Sequence, residues 1–138
     1  MSKLYVLDAC ALIALLTREA GAEKVRTLLR SAYSGEVQIS MHKLNLLEVY
    51  YGDYRAHGVL AANDMLGKVK KLPVAIIPNI SDEVFAEAGR FKASYRISLA
   101  DSIALAEASV SDASLITSDH HEFDAIEKSE SIKFHWIR

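Results

Sequence analysis

The stretch KLYVLDACALIALL, residues 3–16, decides how the chain is read. Residues 4–7 are an apolar run of strand length, residues 9–16 are apolar and rich in helix formers, and Asp8 stands at the junction. A strand passing directly into a helix is the first half of a crossover unit, and the same alternation continues down the chain. Strand-like runs fall at 37–41, 74–77, 113–117 and 132–137, and helical patterns at 22–33, 43–56, 60–71, 82–93, 99–109 and, briefly, 121–126. Strands separated by helices predict right-handed crossovers, hence an α/β fold: a parallel sheet of about five strands with helices on both faces. Open parallel sheets carry their ligand sites outside the carboxyl ends of the strands, which is where Asp8 falls. Aspartate is also a good N-cap, so a purely capping role for Asp8 stays open.

With 138 residues and 51% hydrophobic content, the chain reads as one domain, 1–138, built around a single core. A formal net charge of −2 provides no global basic field for nucleic acid. The single cysteine, Cys10, rules out an internal disulfide framework, and the beginning of the chain lacks a signal-peptide pattern, so a cytoplasmic location is expected. No apolar run approaches the roughly 20 residues that span a bilayer.

Asp8 has company. In LITSDHHEFD, residues 115–124, Asp119 follows the end of a predicted strand, as Asp8 does; both it and Asp124 could also be ordinary loop acids. In ISLADSIALAEA, residues 97–108, Asp101 lies in the first turn of an otherwise apolar helix, where a carboxylate is costly unless something positive meets it. The pair Ser98 and Asp101 also fits a helix cap, favoured by the helix dipole. In KLNLLEVYYGDY, residues 43–54, Glu48 projects at the margin of an apolar stripe, a position that solvated boundary residues also occupy. Four carboxylates meeting in one crevice would raise one another's pKa values and call for cations. Oxygen donors without cysteine or a spaced histidine pair favour Mg2+ or Mn2+ over zinc, and the chemistry such sites perform is phosphoryl transfer.

Taken together, YVLDACALIALL, NLLEVYYG, SLADSIALAEA and LITSDHHEF resemble a PIN-domain protein across residues 4–135, and in size the VapC-like ribonuclease toxins of toxin–antitoxin pairs. The resemblance implies a Mg2+- or Mn2+-dependent nuclease acting on RNA, with Asp8, Glu48, Asp101 and Asp119 as the catalytic, metal-holding acids. It places Thr117 or Ser118 where a hydroxyl can orient a carboxylate or a water, and makes Asp124 an auxiliary acid. It further implies a cognate antitoxin as partner and pairing of two copies of the domain. His120-His121 after Asp119 departs from the expected pattern; adjacent loop histidines are expected to face solvent. Among the scattered cations, Arg96 is nearest in sequence to Asp101 and is the first choice for a phosphate contact.

Other chemistries can be checked residue by residue. A haloacid-dehalogenase-like phosphatase needs Asp-x-Asp, but residue 10 is Cys10; a receiver domain needs an acidic pair and a distant lysine; neither dinucleotide nor P-loop glycine motifs occur. Cys10, on an apolar helix with no evident base, reads as a small core residue rather than a nucleophile. Two alternatives to the toxin stay open: a stand-alone RNA-processing nuclease, and a catalytically inactive module of the same fold that binds protein. Helix 43–56 is apolar on two faces. Leu44, Leu47, Tyr51 and Tyr54 are expected to face the core, while Leu46, Val49 and Tyr50 either pack under helix 60–71 or form an open groove for an amphipathic antitoxin segment, with Tyr50 as its anchor.

Overall fold

In the computed structural model, which describes residues 2–138, the opening strand lies at the centre of the molecule. The elements follow as β1 (Lys3–Leu7), α1 (Ala9–Leu16), α2 (Ala22–Tyr33), β2 (Val37–His42), α3 (Lys43–His57), α4 (Val59–Lys70), β3 (Val74–Ile77), α5 (Asp82–Ser94), α6 (Leu99–Val110), β4 (Ser114–Thr117), α7 (His120–Ser129) and β5 (Lys133–Trp136). The five strands form one sheet in the order β3-β2-β1-β4-β5, and every neighbouring pair is parallel. From β1 the chain winds outward to β2 and β3, then returns across the sheet to β4 and β5. The order therefore reverses beside β1, and the crevice for a ligand opens between the carboxyl ends of β1 and β4.

Alternation along the strands divides the core in two. Tyr5, Leu7, Ile39, Met41 and Ile116 point to the side covered by α1 to α4; Val6 and Leu115 point to the side covered by α5, α6 and α7. Helix α6 is buried through its middle, from Ser102 to Ala108, where its Leu, Ile and Ala residues meet both the sheet and α5. Among the described residues, no helix is long and apolar enough to cross a membrane.

The two faces of α3 are assigned opposite to the expectation from its sequence. Leu47, Tyr51 and Tyr54 are 46% to 50% exposed, whereas Val49 is buried and Leu46 and Tyr50 pack against the first core cluster. Of the expected core stripe, only Leu44 packs inward, against the second cluster. The reason is α4, which folds back onto the Leu46-Val49-Tyr50 side and inserts Met65 and Val69 into the same cluster, while the Tyr50 hydroxyl hydrogen-bonds the Asn63 side chain at 3.1 Å. The end of the chain is fixed just as closely. Gly21 adopts φ 98°, and a Cβ there would lie 2.8 Å from the Ile137 carbonyl oxygen, so only glycine lets α2 start against this segment.

Candidate metal centre

Asp8 is set by the abrupt passage from β1 into α1. Its residue is 1% exposed, and Oδ1 accepts the Ala11 N–H at 2.8 Å, so the capping role is real. Capping uses only half of the carboxylate: Oδ2 is buried and accepts no well-formed hydrogen bond, although the Thr117 hydroxyl lies near enough to favour the charged form. Burial pushes the Asp8 pKa up from 3.8 to about 7; the Thr117 hydroxyl and the Ala11 N–H pull against this rise, and Asp101 and Asp119 add to it. An unsatisfied anionic oxygen in an apolar setting is expensive. It is the kind of atom a cation would satisfy.

Across the crevice, Asp101, Asp119 and Glu122 bring carboxylate oxygens within 4.8 Å of one another. Asp101 arrives on the first turn of α6, whose N-cap is Ser98: the Ser98 Oγ accepts the Asp101 N–H at 3.1 Å. Asp119 ends the turn after β4 and N-caps α7, its Oδ1 accepting the Glu122 N–H at 3.1 Å. The three-residue spacing that makes this cap also folds the Glu122 side chain back toward Asp119. Glu48, on α3, joins from the β2 side, and its pKa is raised by burial first and then by the charges of Asp119 and Glu122. Asp101 is raised to about 7, again by burial first, with Glu48, Asp119 and Glu122 contributing.

Thus Asp101 and Asp119 form the tightest part of the site, and both Asp8 and Glu48 lie within electrostatic reach of acids in it, Asp8 of Asp101 and Asp119 and Glu48 of Asp101, Asp119 and Glu122. Glu122 completes that part and was not anticipated from sequence; the Asp119-x-x-Glu122 spacing was the available signal. No lysine or arginine is among the main charges acting on Asp8, Glu48 and Asp101. A donor set made only of oxygens, with the unpartnered Asp8 oxygen beside it, fits a hard divalent cation such as Mg2+ or Mn2+.

The remaining candidates have other settings. The Thr117 hydroxyl accepts the Asp119 N–H at 3.0 Å and so shapes the turn that presents Asp119. Ser118 shares a 2.8 Å hydrogen bond with Cys10, whose thiol is pushed up by burial and stays protonated. Asp124 is turned to the His120 Nδ1 at 2.7 Å and lies outside the tight carboxylate group. Arg96 and His121 are exposed, and Arg96 makes no ion pair among the described residues. His120 is exposed as well, as expected for these adjacent histidines, and it is also held in place: besides Asp124 it meets the Arg138 backbone oxygen at 2.8 Å and stacks on Trp136. Glu48 also borders a groove of about 520 Å³ between α1, α3 and α4, lined by Ile13, Leu16, Val49 and Met65.

Residues 5–129 match the family model described as PIN domain. No curated protein matches the chain significantly in sequence. Several solved structures share its fold. A toxin-antitoxin complex from Klebsiella pneumoniae aligns at 22% identity over 99% of this chain and 98% of that one, with a TM-score of 0.68. VapBC-1 from nontypeable Haemophilus influenzae aligns at 19% identity, covering 97% and 98%, with a TM-score of 0.72. Mycobacterium tuberculosis VapC20, described as a Sarcin-Ricin loop cleaving toxin, aligns at 16% identity, covering 88% and 94%, with a TM-score of 0.63.

Proposed function

The chain belongs to the PIN domain family, and from that premise we propose that it is a Mg2+- or Mn2+-dependent endoribonuclease, the toxin of a toxin–antitoxin pair. The observation that carries the nuclease reading is the convergence of Asp101, Asp119 and Glu122 at the switch point, with the unpartnered Asp8 oxygen beside them. A capping role alone explains neither the convergence of acids from separate elements nor the raised pKa values. Structural likeness to a loop-cleaving toxin and to toxin–antitoxin assemblies supports the substrate class and the partner.

In this reading Asp101, Asp119 and Glu122 hold the ion, while Asp8 and Glu48 complete the negative cradle. A divalent ion there supplies Lewis-acid polarisation of a phosphodiester and lowers the pKa of a water. The protein's own contribution is positional. The Ser98 cap fixes Asp101, the Thr117 hydroxyl fixes the turn carrying Asp119, and Ala11 fixes Asp8 in one rotamer. In this role the acids hold the ion and need not themselves shuttle protons.

The groove that reaches Glu48 suits an apolar segment of the antitoxin, since Ile13, Leu16, Val49 and Met65 line it and Glu48 is the one acid of the site at its border. The exposed Leu47, Tyr51 and Tyr54 on the outer side of α3 are the surface assigned to pairing of two copies. The deciding experiment is incubation of a mixed RNA pool with the purified protein, with and without Mg2+ or Mn2+, beside Asp8→Asn. Cleavage that requires metal and is lost in the variant supports the reading. Absence of cleavage in any metal by the wild type would leave the binding-module alternative, and cleavage without an antitoxin locus nearby would favour the stand-alone nuclease.

A further inference from the structure

At the carboxyl edge of the sheet that also carries Asp119 stands a set of aromatic rings that nothing in the metal chemistry uses. Phe134 and Trp136, two residues apart on β5, are stacked with centroids 5.4 Å apart and an interplanar angle of 12°. His120 lies against Trp136 at 3.8 Å and 9°. The column runs toward the carboxyl edge of the sheet, because Trp136 is in register with Thr117, the last residue of β4, and His120 opens α7 just beyond it.

His120 is held unusually firmly for a surface residue. Nδ1 faces the Asp124 carboxylate at 2.7 Å and Nε2 the Arg138 backbone oxygen at 2.8 Å; both partners accept, so both contacts are hydrogen bonds when the ring carries a proton on each nitrogen. The imidazole cannot turn to ligate an ion through either nitrogen without breaking one of these bonds. Yet the side chain is 49% exposed. One face is covered by Trp136 and both nitrogens have partners, and no ring is stacked on the other face among the described residues. The imidazole is a flat, fixed ring next in sequence to Asp119.

We propose that this open face of His120, backed by Trp136, is a stacking subsite for a base of the RNA strand next to the cleaved phosphate. The inference rests on the nuclease reading for its ligand class and adds to it the group that seats a base. A phosphate brought to Asp119 would carry its neighbouring base over the adjacent residue. Aromatic platforms bind single strands because every base has a π-face, and a platform already fixed loses little freedom on binding. A protein partner would instead call for an apolar pocket, and this ring sits in a polar frame of Asp124 and the Arg138 backbone oxygen.

Trp136 is the chain's single tryptophan, so its fluorescence reports on this site alone. The test uses the full protein freed of metal with EDTA, titrated with a short single-stranded RNA and with an abasic strand of equal length and charge. Wild type is expected to bind the base-bearing strand about tenfold more tightly and to show a change in Trp136 emission with that strand only. His120→Tyr, which keeps a ring and loses both polar bonds, should retain the preference. His120→Gln, which keeps polar reach and loses the ring, should bring the two strands to equal affinity. Equal affinities in wild type, or a preference surviving in His120→Gln, would overturn the subsite. Metal-dependent RNA cleavage by the same preparations is scored separately: cleavage without base preference removes the subsite and leaves the nuclease, and base preference without cleavage does the reverse.

Discussion

Asp8→Asn separates an ion-holding carboxylate from a helix cap, because asparagine caps nearly as well and carries no charge. Its Oδ1 can still accept the Ala11 N–H, and the unpartnered oxygen becomes an amide that no longer bears charge in an apolar setting. In the unfolded chain Asp8 loses its proton near 3.8, and in the fold near 7. Between those values the folded state holds the extra proton, so wild-type stability is full below about pH 4 and falls as pH rises through 7. The distance between the two pKa values corresponds to on the order of 4 kcal/mol. The variant has no such loss. Without metal it should therefore match wild type near pH 4 and exceed it at pH 8, by roughly 10 °C in Tm for a chain of this size. Added Mg2+ or Mn2+ should narrow the gap, since it stabilises only the protein that binds it. Thermal unfolding followed by circular dichroism, in EDTA and in metal at both pH values, measures all of this. A variant less stable than wild type at pH 8 in EDTA, with a gap that ignores both pH and metal, would refute the argument and leave Asp8 as a cap.

Glu122→Gln should weaken Mn2+ binding at least about tenfold by isothermal titration calorimetry while Asp124→Asn leaves it unchanged, because only Glu122 belongs to the tight carboxylate group. On α3, Val49→Ala should cost about 2 kcal/mol in urea unfolding and Leu47→Ala less than about 0.5 kcal/mol, the opposite of what the sequence stripe suggested. Gly21→Ala should cost about 2 kcal/mol or more, combining a positive φ with a Cβ driven against the Ile137 carbonyl; chemical denaturation would show it as a lower midpoint.

The fold was legible because three of the five strands run almost directly into a helix, at Asp8, Lys43 and Asp119, and because the apolar runs differ so clearly in length. The acids Asp8, Asp101 and Asp119 stood out since each interrupts or terminates an apolar run. Two things were hidden. On α3 both faces are greasy, and periodicity cannot say which one a later helix will cover; only the return of α4 buries Val49 and Tyr50 and leaves Leu47 and Tyr51 outside. Glu122 looked like an ordinary first-turn acid of a short helix. It becomes part of the site because the Asp119 cap folds that turn against the start of α6, a long-range meeting that local sequence does not encode.

The account stands or falls on whether the crevice between β1 and β4 holds a divalent ion. Anomalous scattering from a crystal soaked in Mn2+ measures that directly. The proposed function predicts a single strong site, or a close pair, at the carboxylates of Asp101, Asp119 and Glu122, and no such peak in Asp101→Asn crystals soaked alike. A crevice with no anomalous peak at a Mn2+ concentration that supports RNA cleavage, or Mn2+ bound only elsewhere on the surface, would contradict it.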